Sequence, residues 1–334
     1  MKFALIVCTY QRPKALVTLL ESVALQEKYP DEVIIVDGST NDKTTAILEE
    51  SIFKNLHYFK VSEKDRGLTK QRNYGITKVS EAIEIVCFLD DDIVLTPSYF
   101  KTLLSTYALY PEAIGVGGYI INETPWRPLE ENETPNISQF SWDNWVRSDG
   151  SRFVLRKKLG LDADVPPGYM PNFSHGRSVG FLPPSGKTYQ VEQLMGGVAS
   201  YPKRVLDSQK FSEYFEGYGL YEDADYTLRL SKKGALYLNT AAQLYHYHEA
   251  SGRPNQYLYG KMVVRNGWYV WRVKHPYPSL KARLKWNATS FVLTLIRYGN
   301  VITTSKRKEA FTEALGRTAG WFSLFLNKPN IQED

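Results

Sequence analysis

The chain is 334 residues long, 23% of them charged and 43% hydrophobic, with a formal net charge of +5. That length supports a sizeable core in one large domain, or in a domain with an elaborated end. The charge is too small and too dispersed for a nucleic-acid partner, though its sign suits an anionic one.

The opening, MKFALIVCTYQRPK, has an apolar stretch shorter than the ~7–15 residues of a signal-peptide core, and no small-residue cleavage site follows. It is expected to be a first strand. Cys8 and Cys87 both fall within apolar strand-like runs and are expected to be reduced and structural. In chain order, FALIVC is followed by a helix from about Lys14 to Gln26, then VIIVD, a helix near Lys43 to Glu50, LHYFKV, a helix from about Thr69 to Val79, and IEIVCFL. That alternation predicts an α/β, Rossmann-like and mostly parallel sheet flanked by helices, its strand C-termini along one edge. Ligands bind along such an edge. Thr9 to Arg12, Asp37 to Asp42 and Asp90 to Asp92 should therefore face one crevice.

From about residue 122 to 190 the periodicity disappears and Pro, Gly, Asn and aromatic residues dominate, with Trp126, Trp142 and Trp145 close together. An irregular insertion is expected there, of a length usual for lids and binding loops. VEQLMGGVASYPKRVL restores order, followed by a helix around Glu222 to Lys233 and the strand ALYL. The expected domains are 1–252, including the insertion, and a helical, aromatic and basic extension over 253–334. Its stretches KMVVRNGWYVWRVKHP and SLKARLKWNATSFVLTLIRYG mix Lys, Arg, Trp and Tyr with apolar residues as interfacial helices do. The most apolar run, SFVLTLIRYGNVI, is broken by Arg297, Gly299 and Asn300, short of the ~18 apolar residues of a spanning helix. A cytoplasmic location is expected, with peripheral contact to the inner face of the cytoplasmic membrane.

Five segments carry chemistry. Asp37 closes VIIVD and opens DGSTNDKT, a strand, turn and helix start that favour a negative ligand, although Asp37, Ser39, Asn41 and Asp42 equally suit turn capping. Arg72, in GLTKQRNYGI, either reaches a diphosphate or base or lies on a solvated helix face. FLDDDIVL is sharper: Asp90, Asp91 and Asp92 end an apolar strand, and carboxylates this close repel one another unless a divalent metal joins them. A calcium loop would need alternating carboxylates about a glycine, and a phosphorylated-aspartate enzyme a separate nucleophilic Asp and a later Lys; neither pattern fits. In GYGLYEDADYTLRLSKKG, Glu222, Asp223 and Asp225 open an amphipathic helix, as partners of its dipole or as a catalytic carboxylate. His246 and His248 of LYHYHEASGR share one face of a strand, as a surface pair or with one imidazole completing a metal shell.

TYQRP, DGSTNDKT, QRNYGI, FLDDDIVLTP and GYGLYEDADYTLRL, in that order over roughly residues 3 to 270, resemble the family 2 glycosyltransferases with the GT-A fold. The resemblance implies inverting transfer of a sugar from a nucleotide-diphosphate sugar, UDP being the first choice, to a hydroxyl of a glycan or lipid-linked acceptor in polysaccharide or cell-envelope synthesis. It implies a divalent metal, Mn2+ or Mg2+, as cofactor, and makes the insertion over about 122–190 an acceptor lid whose Trp and Tyr faces suit sugar rings, unless its tryptophans pack into a core. By that resemblance Thr9 and Asp37 contact the nucleoside, with Tyr10 and Arg12 beside them, and Arg72 the base or phosphates. Asp90 and Asp92 are the outer pair of the Asp-any-Asp motif. Asp90 is placed on the ribose or a metal-bound water, and Asp92 directly on the metal with His246 or, in its stead, His248. Asp91 stands in the variable middle position and shifts this assignment by one residue if it is the donor contact. Asp223 is the general base, with Glu222 beside it.

Two rival readings make different demands. A sugar nucleotidyltransferase needs a Gly-rich, basic loop soon after the first strand, and TYQRPKAL lacks glycine. A catalytically silent carbohydrate-binding protein on the same fold has no need of the carboxylates at Asp92 and Asp223.

Overall fold

A computed structural model of the protein describes residues 1–215, 218–248 and 255–331. The elements run β1 (Phe3–Thr9), α1 (Pro13–Ala24), β2 (Glu32–Asp37), α2 (Lys43–Glu49), β3 (Leu56–Lys60), α3 (Leu68–Ile76), β4 (Ile85–Asp90), β5 (Ile93–Leu95), α4 (Tyr99–Leu109) and β6 (Ala113–Ile120). There follow β7 (Arg127–Pro128), β8 (Gln139–Trp142), β9 (Trp145–Ser148), α5 (Ser151–Lys158), β10 (Thr188–Val191), β11 (Val198–Pro202), α6 (Lys203–Ser208), α7 (Glu222–Leu230) and β12 (Ala235–His246). The chain ends in α8 (Gln256–Lys274), α9 (Leu280–Thr303) and α10 (Arg307–Leu326). Two compact units result, Met1–Pro125 with Leu182–Gly252, and Trp126–Phe181 with Arg253–Asp334. The boundary expected at 252–253 lies outside the described residues.

The first unit is built on a mixed sheet in the order β10-β12-β6-β11-β4-β1-β2-β3, with β5 pairing with β12. Strands β3, β2, β1 and β4 are mutually parallel, whereas β11 runs antiparallel to both β4 and β6. Their near-continuous apolar sequences reflect cover on both faces. On one face, α1 presents Leu16, Leu19, Leu20 and Val23, and α4 presents Phe100, Leu103, Leu104 and Tyr107; both sets follow the i, i+3, i+4, i+7 spacing of a helical stripe. They bury Phe3, Leu5, Val7, Val33 and Ile35, alternate residues of β1 and β2. Pro13, at the first turn of α1, loses no helical hydrogen bond there.

The intervening residues of the strands face α3 and α7. Phe88 of β4 meets Tyr201 and Phe211, and Phe211 stacks on Tyr226 of α7 at 4.1 Å. The QRNYGI stretch of α3 serves this face residue by residue. Gln71 Nε2 donates to the carbonyls of Thr9 and Val36, Asn73 exchanges two hydrogen bonds with the backbone of Phe211, and Gly75 lies where any Cβ would press on Ile6 and Val36.

In the second unit, the stretch expected to be irregular holds the antiparallel sheet β7-β9-β8. Asp143 and Asn144, at φ 50° and 63°, form the two-residue turn that joins β8 to β9 and pairs Trp142 with Trp145. Beneath it Arg177 is buried, bidentate to Asp149 and paired with Asp162, and it lies over the rings of Phe140, Phe153 and Phe181. Helices α8 and α10 cross at small residues: a Cβ at Gly260 would overlap the Glu313 carbonyl oxygen, and one at Gly316 the Tyr257 carbonyl oxygen. Among the described residues, no helix is long and apolar enough to cross a membrane.

That crossing predicts opposite outcomes for two glycines. Gly316→Ala meets backbone that cannot yield and should cost about 1–3 kcal/mol in urea unfolding. Gly299→Ala, in an exposed interior turn of α9 with nothing within 4 Å, should instead stabilise by up to ~1 kcal/mol.

Candidate active site

The parallel strands deliver their last residues side by side: Thr9 pairs with Asp37 across β1 and β2, and Cys8 with Asp90 across β1 and β4. Asp37 is fully buried, and its two oxygens accept from the Ser39 backbone N–H (2.7 Å) and the Tyr58 hydroxyl (2.8 Å). It therefore shapes the turn after β2, as an Asx-turn does. Gln11, at φ 55°, carries the chain over this turn and donates its N–H to Ser39 Oγ, while Tyr10 stays exposed at the rim.

The three aspartates diverge. Asp91, buried, accepts from Thr9 Oγ1 at 2.6 Å and from Arg12 Nη1 at 3.1 Å. Burial pushes its carboxyl up to about 6, against the pull of Thr9 and Arg12. Arg12 Nη1 also lies 3.4 Å from Asp92 Oδ2. Asp90 and Asp92 instead converge with His246, the last residue of β12, so that ligand atoms of all three lie within 4.8 Å of one another. Asp92 Oδ1 is 3.1 Å from His246 Nε2, and His246 Nδ1 is 3.5 Å from Glu123 Oε1. Asn122 fixes the His246 backbone through its N–H and its carbonyl.

Burial alone would lower the His246 pKa, but hydrogen bonds to Asp92 and Glu123 and the charge of Asp92 raise it to about 10. A group of acids that draws in a proton so strongly is also one that a divalent cation would neutralise, and carboxylate oxygens with one imidazole suit Mn2+ or Mg2+. The donor set fits such an ion. His248 joins only the neighbouring group with Glu123 and His246, its ring 4.1 Å from that of His246.

A second cation lies deeper. Arg72 is almost wholly buried against the rings of Phe88 and Phe211, with Nη1 2.5 Å from Glu222 Oε1 and Nη2 3.6 Å from Asp90 Oδ1. Burial pushes the Glu222 pKa up against the pull of Arg72, and its buried Oε2 has no hydrogen-bond partner among the described residues. Next to it, Asp223 accepts from its neighbour's N–H (Ala224, 2.8 Å) and from the Gly196 N–H (3.3 Å). Burial raises the Asp223 pKa more than these two bonds lower it. Tyr221, at φ 71°, turns the chain into α7 so that both acids enter its first turn. Gly196 and Gly197 leave the room: a Cβ at Gly197 would overlap Asp90 Oδ2, and one at Gly196 would stand 2.5 Å from Glu222 Oε1.

Residues 4–164 match the family model described as Glycosyl transferase family 2. Over these residues the chain is similar to the family 2 glycosyltransferases. The glucosyl-dolichyl phosphate glucuronosyltransferase of Haloferax volcanii is 27% identical over 123 residues, 36% of this chain and 39% of that protein. The O-antigen chain rhamnosyltransferase RfbN of Salmonella typhimurium is 30% identical over 98 residues, 29% of this chain and 30% of that protein. The chain thus spans less than two fifths of the length of these two curated relatives. A crystal structure of GalNAc-T7 with UDP, GalNAc and Mn2+ aligns over 92% of this chain and 58% of its own, with a TM-score of 0.51 and 12% identity. That likeness is one of fold, and the fold is GT-A.

The sheet edge brings together Thr9, Arg12, Asp37 and Asp90 to Asp92, and Arg72 links Asp90 to Glu222. Arg72 does not lie on a solvated helix face; its guanidinium is buried. Three participants escaped the sequence reading. Glu123 follows the end of β6 and was hidden in the stretch without periodicity, and Gly196 and Gly197 form a glycine pair between two apolar runs that marks a close approach.

The buried pair predicts a thermodynamic cycle. Arg72→Met alone leaves Glu222 buried beside hydrophobic rings and should cost about 3–5 kcal/mol in chemical denaturation. Arg72→Met with Glu222→Gln should cost clearly less than the sum of the two single changes.

Proposed function

We propose that the protein is an inverting glycosyltransferase that moves a sugar from a nucleoside-diphosphate sugar to a hydroxyl of a glycan or lipid-linked acceptor. The carrying observation is that Asp90, Asp92 and His246 converge on one point, while Asp90 shares Arg72 with the carboxylate that immediately precedes Asp223. UDP is the first candidate for the nucleotide, in accord with the UDP and Mn2+ of the GalNAc-T7 structure.

In this reading Tyr10 and the turn held by Asp37 border the nucleoside, and Asp91 keeps Thr9 and Arg12 in register beside it. Asp90, Asp92 and His246 would hold the divalent cation, whose charge offsets that of the donor diphosphate. Arg72 positions Glu222 and Asp90 rather than binding phosphate directly. Asp223 accepts the proton of the acceptor hydroxyl as that oxygen attacks the anomeric carbon. The bond from that carbon to the diphosphate breaks on the opposite face, its electron pair leaving with the phosphate oxygen. One displacement inverts the configuration. Peripheral contact of the C-terminal region with the cytoplasmic membrane face would bring a lipid-linked acceptor near.

Two measurements test this. A panel of UDP, GDP and dTDP sugars should yield donor turnover with Mn2+ that chelator abolishes, and Asp223→Asn should lower it at least ~10²-fold while the fold is retained. Because the Asp223 pKa is raised, its carboxylate is protonated at a higher pH than usual, so the acid limb of kcat/KM should lie above the ordinary aspartate range. Near-normal turnover by the variant removes Asp223 as base. Separately, Mn2+ at 100 times its Kd should stabilise the wild type by about 2.7 kcal/mol, and Asp92→Asn should lose that gain.

A further inference from the structure

The second unit contains a cavity of about 230 Å³ among α8, α9 and α10, unrelated to the residues assigned above. Its walls are aromatic and cationic. Trp271 and Trp286 stack at 5.4 Å with ring planes 5° apart, and the Arg272 guanidinium lies 5.8 Å from the Trp271 ring. Arg283 and Lys328 complete the charge, and no acidic residue is among the lining residues. Trp286 is 3% exposed, yet among the described residues its indole N–H has no hydrogen-bond partner, and neither has the buried Arg272 Nε. Burial and the charge of Arg283 together hold Arg272 below its ordinary pKa.

Buried donors left unmade cost about 1–3 kcal/mol each, and three cations gathered without an acid repel one another. An anion rich in acceptor oxygens relieves both. The volume falls below the ~300–1,000 Å³ of pockets that enclose drug-sized ligands, which suits a headgroup rather than a nucleotide sugar. The surroundings indicate what is attached to it: Phe325 lines the cavity and is exposed, as are Leu326 after it and Leu280 and Leu284 around Arg283. Cations above exposed apolar and aromatic residues match the boundary between lipid headgroups and acyl chains.

We propose that this tryptophan-lined pocket binds the phosphate headgroup of an anionic membrane lipid. The assignment rests on the membrane contact proposed above and gives it a site. The test is flotation of the full chain with neutral phosphatidylcholine vesicles and with vesicles containing phosphatidylglycerol, at low salt. Arg283→Gln with Lys328→Gln removes two exposed pocket cations, and Lys306→Gln with Lys308→Gln removes two exposed lysines that are not among the pocket's lining residues.

The wild type and the Lys306/Lys308 variant should float with the anionic vesicles only, and the pocket variant should bind them at least ~10-fold more weakly with an unchanged Tm. Equal binding by the pocket variant overturns the pocket while leaving the membrane contact standing. Equal loss in both variants reduces the effect to diffuse charge and also overturns it. No flotation by the wild type removes pocket and membrane contact together. Inorganic phosphate that raises the Tm through Arg283 and Lys328 without any vesicle binding overturns the lipid as the source of the phosphate.

Discussion

Asp90, Asp91, Asp92, Glu222 and Asp223 gather at one side of the sheet, and two guanidinium groups make that possible. Arg12 spans Asp91 and Asp92, and Arg72 spans Asp90 and Glu222. Neither is a free surface charge: Arg72 is packed between two phenylalanine rings that are themselves part of the hydrophobic contact of β4 with the region leading to α7. Position and charge are thus set by the same packing. A buried ion pair seldom adds net stability over a hydrophobic replacement, so its value here is geometric. It fixes the direction in which Glu222 points and, through the helix start, where Asp223 stands.

The parallel half of the sheet was legible because its strands are apolar throughout and its helices carry a clear stripe. VIIVD and IVCFLD announce a strand buried on both faces, and α1 and α4 show the 3.6-residue spacing. The triple aspartate was legible for a cruder reason, its mutual repulsion. What could not be read was the division of labour within it, because only the pairing of β1 with β4 sets Asp91 beside Thr9 and Arg12. That His246 rather than His248 stands beside Asp90 and Asp92 was hidden likewise, since β12 ends at His246 and the two-residue repeat of a strand stops there.

The stretch after residue 122 shows the limit from the other side. Its strands are two to four residues long, too short for alternation to register. The informative mark was the dipeptide Asp143-Asn144, residue types that tolerate the left-handed conformation a two-residue hairpin requires. Arg177, which holds this small structure by its charge and its flat face, could not be told from a surface arginine by sequence position alone.

Strand β11 folds back along β4, so that the Asp90 N–H bonds the Gly197 carbonyl while the Gly196 N–H bonds Asp223. Two adjoining peptide units therefore act as a ruler between the cluster that would grip the donor and the proposed base. Such a ruler is indifferent to whatever surrounds it, because its length depends on main-chain pairing and on the absence of two methyl groups. On the proposed reading, loops bordering the acceptor would be free to change their contacts while the span from Asp90 to Asp223 stays constant.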